Sequence, residues 1–161
     1  MIASTPTLFK ALSSIPVLGG MSHAAQTLIA EEGAVLDLPP GKWIVREGDE
    51  GHAFFILVEG EVEVIKHAEC PHAVTLARLR SGSIFGEMCI LGPMPRAASV
   101  CTLTSIKAIE IKACTLHHLY QTMPDQYAIV LLNLARDMAR RLCQLDEAYA
   151  ARAGLNIGDE N

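Results

Sequence analysis

The sequence predicts a mainly β domain, a sandwich or barrel of short strands flanked by helices. Of its 161 residues, 50% are hydrophobic and only 19% are charged, which indicates one compact domain with a substantial core. The middle of the chain consists of short apolar or alternating runs separated by glycine turns, the pattern of an all-β architecture. Helical spacing and caps precede and follow this middle part.

Residues 1–33 are predicted to form a helical N-terminal segment. Thr5-Pro6 is typical of a helix cap followed by a first-turn proline, and it leads towards the apolar Leu12. Ser22 is a candidate cap for a second helix, and Gly33 marks its end. These signals predict two short helices before the first strand.

The β part is predicted to span residues 34–112. Turn sequences recur along it, among them Pro39-Pro40-Gly41, Glu47-Gly48-Asp49 and Gly60. Residues 61–64 alternate polar and apolar side chains, as a half-buried strand does. Seven strands are predicted, at residues 34–38, 43–46, 54–58, 61–64, 74–79, 98–103 and 106–111.

Residues 113–152 are predicted to form C-terminal helices, a short one at 115–122 and a long one from Pro124 to about residue 151. Apolar residues of the long helix recur at alternating intervals of three and four, which is a near-heptad seam. The seam fits either a helix packed on its own barrel or a homodimer through residues 125–151. Its members are Tyr127, Leu131, Leu134, Met138, Leu142, Leu145 and Tyr149. The polar tail at 153–161 is expected to be flexible.

Residues 84–100 carry the most informative pattern, a Gly-Glu turn, a short apolar run and an arginine before a strand of small residues. Gly86 permits a tight backbone turn close to a ligand. If residues 87–91 form one helical turn, its free N–H groups favour an anion. Arg96 adds a forked, permanently charged donor for two phosphate oxygens. Glu87 is an acceptor only, which suits a ribose hydroxyl. Together these residues predict a site for a small anionic sugar phosphate.

This segment resembles the phosphate-binding cassette of the cyclic nucleotide-binding domain family, whose pattern is F-G-E-x-A-L followed by P-R-x-A-x-V. The resemblance covers about residues 34–150 and implies an eight-stranded jelly-roll barrel with flanking helices. Cys89 stands where the family usually has alanine. The resemblance implies that Arg96 pairs with the cyclic phosphate and that Glu87 holds the 2′-hydroxyl. The implied ligand-binding residues are Gly86, Glu87, Met88, Cys89, Arg96, Ala97 and Ala98, with Arg140, Arg141 and Asp146 as weaker candidates for capping the base.

The resemblance also bears on the choice of ligand and on the partners. Guanine-selective sites in the family often carry threonine directly after the arginine, and Ala97 stands there, which favours cAMP over cGMP. Residues 138–142 are similar to the dimer helix of the catabolite activator proteins. Those proteins continue into a DNA-reading domain, which we expect to be absent here. The interpretation is a sensor domain with no catalytic residues and no cofactor, whose downstream effector the sequence does not identify.

Composition excludes several other classes of function. The formal charge of −5 argues against a general nucleic-acid binder, and no apolar run reaches the length of a membrane span. No signal-peptide pattern is present. Five widely spaced cysteines without a C-x-x-C pair favour reduced core thiols in a cytoplasmic protein.

Two alternative functions remain open at this point. The barrel could bind no nucleotide and act as a dimerisation or interaction scaffold, although the intact pair of Glu87 and Arg96 argues against this. It could also be a metal-dependent enzyme of the cupin type. The six histidines include no His-x-His pattern, and we expect them to be exposed or capping side chains.

Overall fold

The structure is a computed structural model that describes Leu12, residues 15–92 and residues 94–157, with the side chains of residues 155–157 left aside. The helix predicted around Thr5-Pro6 lies outside the described residues, and so does the end of the predicted flexible tail. The remaining predictions on secondary structure can be compared with the structure.

Eight strands form two antiparallel four-stranded sheets, which confirms the predicted jelly-roll architecture. One sheet has the order β1-β8-β3-β6 and the other β2-β7-β4-β5, so that the chain changes sheets between consecutive strands everywhere except in the β4–β5 hairpin. The strands are β1 Ala34–Leu38, β2 Trp43–Val45, β3 Ala53–Glu59, β4 Glu61–Lys66, β5 Val74–Arg80, β6 Ile84–Phe85, β7 Ser99–Thr102 and β8 Ile106–Lys112. Sequence patterning missed β6, because two residues are too few to show a period.

In the part of the chain that the structure describes, the barrel is flanked by the α-helices α1 His23–Glu32, α2 Met88–Leu91, α3 Ala113–Thr122 and α4 Pro124–Ile157. A short 3-10 turn at Pro16–Leu18 precedes α1. The Ser22 side chain accepts a hydrogen bond from the backbone N–H of Ala25, and the N–H of Gly33 closes the helix on Ile29. Both predicted ends of α1 are therefore confirmed, and α4 begins at the predicted proline.

Strand β3 lies at the centre of two apolar cores. It is buried along five consecutive residues, so its alternate side chains serve opposite faces. Phe55 and Leu57 point between the two sheets with the smaller core of the barrel. Phe54 and Ile56 point outwards and join the larger core, which the helices cover. A strand buried on both faces has a continuous apolar sequence.

Only the first half of α4 packs on the barrel. Val130 and Leu134 are fully buried in the larger core, and Tyr127 and Leu131 pack against it. Residues 142–154 are exposed on all sides. The apolar seam predicted for the whole helix is thus divided into a packed half and an unpartnered half.

The cysteines differ from the prediction of core thiols. Cys70, Cys114 and Cys143 are exposed, and Cys89 and Cys101 are half-buried. All five thiols are free.

The two halves of α4 provide a matched pair of substitutions. We expect Leu134→Ala to lower the free energy of unfolding by about 2–5 kcal/mol, because it leaves a cavity in a fully buried position. Leu142→Ala on the same helix should change the free energy of unfolding of the monomer by less than about 0.5 kcal/mol, since 60% of Leu142 is exposed in the single chain. Urea denaturation measures both; equal losses would mean that the second half of α4 is packed in solution.

Candidate functional site

The predicted cassette folds as a turn at the end of β6. Phe85 stacks on Phe55 of β3, with ring centroids 5.1 Å apart, and this fixes the point from which the turn departs. Gly86 has a φ of 79°, in the left-handed region that favours glycine. Glu87 is the N-cap residue of α2, so the predicted helical turn at residues 87–91 is confirmed.

Arg96 is buried, with 7% of its surface exposed, and is held by both main chain and side chain. Its backbone N–H donates to the carbonyl of Asp49 at 2.8 Å, and its carbonyl accepts from Gly48 at 2.9 Å. Its Nη1 donates to the carbonyls of Ala53 and Gly86, at 2.8 and 2.9 Å. These four bonds orient the guanidinium between the loop before β3 and the cassette turn.

The opposite edge of this guanidinium is available to a ligand. Within the described part of the chain, Nε and Nη2 of Arg96 donate no hydrogen bond, and together they form the forked edge that matches two oxygens of an anion. A Cβ added to Gly51 would lie 2.7 Å from Nε and 2.7 Å from Cys89 Sγ. The absent side chain of Gly51 therefore keeps the space beside the fork open, and Cys89 lines the same space.

Glu87 is buried beside this fork and pairs with the long C-terminal helix. Only 4% of its surface is exposed, and Arg141 Nη1 of α4 lies 3.1 Å from its Oε1. Arg141 Nη2 also donates to the carbonyl of Ile84 at 2.5 Å. Burial raises the pKa of Glu87 above its ordinary value, and the Arg141 guanidinium opposes this rise. The carboxylate thus depends on Arg141 to remain ionised in a buried place.

The other predicted ligand residues surround the fork less closely. Ala97 is exposed and Ala98 half-buried on the chain that leads into β7, and the carbonyl of Ala97 accepts from Lys66 Nζ at 2.7 Å. Met88 is 37% exposed at the start of α2. The geometry brings Gly86, Glu87, Cys89 and Arg96 to one place, and their roles as ligand contacts remain predictions.

The three weaker candidates for base capping have different positions. Arg141 reaches the cassette, but its partners are Glu87, the carbonyl of Ile84 and Asp137. Arg140 is exposed and pairs with Asp137 at 3.1 Å. Asp146 is exposed in the second half of α4. The roles of these three residues in capping a base remain predictions.

Sequence reasoning missed several groups that build the site. Gly51 lies just before β3 and the carbonyl of Ala53 belongs to the first residue of β3, and the signal in the sequence was the Gly48-Asp49-Glu50-Gly51 cluster. Asp137 carried no signal, because its role depends on the position of α4 against the barrel. In the described part of the chain, no three His, Cys, Asp or Glu side chains are grouped to hold a metal. No helix there is long and apolar enough to span a membrane.

Comparison with known proteins identifies the family. A family model described as the cyclic nucleotide-binding domain matches residues 35–123, which include the cassette and all of the barrel except Ala34. The chain belongs to this family. Cyclic nucleotide-binding domains are regulatory and not catalytic, which confirms the prediction of a non-enzymatic sensor domain.

Three relatives illustrate the similarity. A cAMP-dependent protein kinase regulatory subunit from Mycosarcoma maydis is 26% identical over 91% of this chain, which covers 30% of that protein. The cyclic nucleotide-binding domain from Methylobacillus flagellatus superposes with a TM-score of 0.80 at 23% identity, covering 92% of this chain and 83% of the other. The Thermus thermophilus catabolite activator protein superposes with a TM-score of 0.72 at 27% identity, covering 86% and 63%. The chain therefore spans about a third of the regulatory subunit that it matches.

Substitution of two glycines by alanine tests how tightly the surrounding backbone holds the Arg96 side chain. Gly82 and Gly86 both have positive φ, and alanine in that region costs about 1–2 kcal/mol. A Cβ on Gly82 would meet no atom within 4 Å, whereas one on Gly86 would lie 2.6 Å from Arg96 Nη1. We expect Gly86→Ala to lower the free energy of unfolding by at least about 1 kcal/mol more than Gly82→Ala, because it disturbs the buried hydrogen bonds of Arg96. Equal losses in chemical denaturation would show that Arg96 is not constrained in this way.

Proposed function

We propose that this domain is a cAMP-binding regulatory module in which nucleotide binding is coupled to the position of helix α4. The observation that carries the proposal is the Arg96 guanidinium, buried and anchored through Nη1, with its Nε–Nη2 edge free within the described residues. A cyclic phosphate offers two oxygens to such an edge. The relative from Mycosarcoma maydis is named as a cAMP-dependent kinase regulatory subunit, which supports the choice of ligand.

Glu87 supports a ribose as the second part of the ligand. It is buried beside the phosphate fork, yet its negative charge disfavours an anion there. Arg141 offsets this charge at Oε1, and a carboxylate has further lone pairs for a hydroxyl donor. The 2′-hydroxyl of a cyclic nucleotide would supply that donor at the distance of one ribose from the phosphate.

The preference for cAMP over cGMP is supported by Ala97, which follows Arg96 and has no hydroxyl to bind a guanine amino group. The absence of one hydrogen bond to cGMP lowers its affinity only modestly. We therefore expect both nucleotides to bind and cAMP to bind more tightly.

Arg141 is the link between the ligand and α4. It brings a cation from the helix to a carboxylate of the cassette, and this ion pair is half shielded from water. When a ribose hydroxyl also binds Glu87, the ionised carboxylate is favoured, and so is the docked position of α4. A ligand shifts such an equilibrium only by its differential affinity for the two positions.

The exposed half of α4 supports a homodimer as the proposed assembly. Leu142, Leu145 and Tyr149 are 60%, 62% and 78% exposed and follow the spacing of a two-helix seam. If two copies pair through this seam, dimer strength and nucleotide affinity are linked reciprocally.

Titration of the purified protein with cAMP and cGMP tests the ligand and Arg96 together. We expect Arg96→Ala to weaken cAMP binding roughly thirty-fold to a few thousand-fold, the cost of removing one partner of a desolvated charge pair. Arg96→Lys should also lose affinity, because an ammonium lacks the fork. Arg136→Ala, which removes an exposed arginine of α4 that contacts Asn133, is the control and should bind normally. If neither nucleotide produces heat at millimolar concentration, the proposed function is wrong.

The coupling through Arg141 is tested by comparing two arginines of α4. Arg141 contacts Glu87 and Asp137, whereas the exposed Arg136 contacts Asn133. We expect Arg141→Met to weaken cAMP binding about tenfold or more and to abolish the movement of α4 on binding, since Glu87 loses its compensating cation. Arg136→Met should preserve both properties. Calorimetry gives the affinity, and spin labels on the exposed Ala139 and Val74, in a cysteine-free background, give the helix position. Identical behaviour of the two variants would contradict coupling through this pair.

A further inference from the structure

The guanidinium of Arg141 lies between two carboxylates that belong to different parts of the molecule. Nη1 is 3.1 Å from Glu87 Oε1 on the cassette, and Nη2 is 2.9 Å from Asp137 Oδ2 on its own helix, one turn before it. Nη2 directs its hydrogen bond to the carbonyl of Ile84 at 2.5 Å. One cation is thus shared by two anions. The hydrogen bond of Nη2 goes to the carbonyl of Ile84 and not to Asp137.

Asp137 is poorly accommodated in this arrangement. Its Oδ2 is buried and, within the described part of the chain, accepts no hydrogen bond, although it faces Arg141 as an ion pair. Its Oδ1 is compensated by Arg140 Nη1 at 3.1 Å. A buried oxygen without an aligned donor lowers stability. Asp137 also places a second negative charge beside Glu87, which contributes to the raised pKa of Glu87.

The charge of Asp137 lies beside Glu87 only while α4 is docked on the cassette. When the helix moves away, that charge leaves Glu87. The ion pair with Arg141 persists, because the two residues are one turn apart on the same helix. Asp137 therefore destabilises the docked position relative to the released one.

We propose that Asp137 is a positioning residue that weakens the docking of α4, so that the helix position remains responsive to the nucleotide. This inference rests on the proposed coupling between the nucleotide and α4. A helix that docks too strongly would be docked with or without ligand, and binding would then move nothing. Asp137 acts through Arg141 and Glu87 and has no role as a ligand contact.

Asp137→Asn tests the inference with almost no change of shape. We expect cAMP to bind roughly fivefold more tightly or better, since less of its binding free energy is used to dock α4. The distance between spin labels on Ala139 and Val74 should already have its nucleotide-bound value in the free protein. Asp137→Ala should act in the same direction, and Glu147→Gln, an exposed carboxylate on the same helix, should change neither property.

The pH profile of cAMP affinity separates this role from a merely structural one. The charged groups that face Glu87 are Arg141, Asp137 and Arg96. High-affinity binding of cAMP requires an ionised Glu87. The affinity therefore falls as the pH decreases through the raised pKa of Glu87. Removing the charge of Asp137 lowers the pKa of Glu87, and the fall should move to lower pH in Asp137→Asn.

Each result decides the matter. Unchanged or weaker binding by Asp137→Asn, or an unchanged pH profile, overturns the inference. If the wild-type protein binds neither cAMP nor cGMP, the proposed function fails. In that case the label distances in the free proteins still decide the inference, because they should differ between Asp137→Asn and the wild type without any nucleotide.

Discussion

The buried guanidinium of Arg96 is the constraint on which the rest of the site depends. A cation in an apolar barrel needs carbonyl partners, and it finds them on Ala53 at the start of β3 and on Gly86 after β6. These bonds hold the start of β3, the end of β6 and the segment around Arg96 close together. They also explain why glycine stands at positions 51 and 86, since a side chain at either would occupy the space of the guanidinium. The structure that holds Arg96 is at the same time the structure that leaves one edge of it open.

Glu87 adds a second charge whose compensation comes from outside the barrel. The carboxylate is buried, but its cation, Arg141, belongs to a helix that packs on the barrel through only its first half. The cassette and α4 are therefore linked by charge as well as by the apolar contacts of Ile90 with the larger core. In the proposed coupling, this ion pair makes the position of α4 respond to the charge and hydrogen bonding of Glu87.

The sequence predicted those parts of the molecule that local patterns determine. Glycine turns and alternation predicted seven of the eight strands, and Ser22, Gly33 and Pro124 predicted helix ends, because capping and turn chemistry act over a few residues. The cassette was recognised because Gly86, Glu87 and Arg96 lie within eleven consecutive positions. The partners of Glu87 could not be predicted, since Arg141 is 54 residues away and meets it only through the packing of α4. The seam was predicted as continuous, but periodicity does not tell which part of an amphipathic helix finds a partner, and Leu142 is exposed.

The two halves of α4 have different surroundings. Its first half has buried Val130 and Leu134 in the larger core, and its middle carries the polar cluster of Asp137, Arg140 and Arg141. Its second half presents apolar side chains to solvent, where burial against a second surface would contribute about 25 cal/mol for each Å² removed from water. The polar cluster therefore lies at the junction between the half fixed to the barrel and the half free to associate. In the proposed coupling, a change in the charge of Glu87 acts at that junction, and the signal would reach the exposed half by a small change in helix direction without disturbing the apolar core.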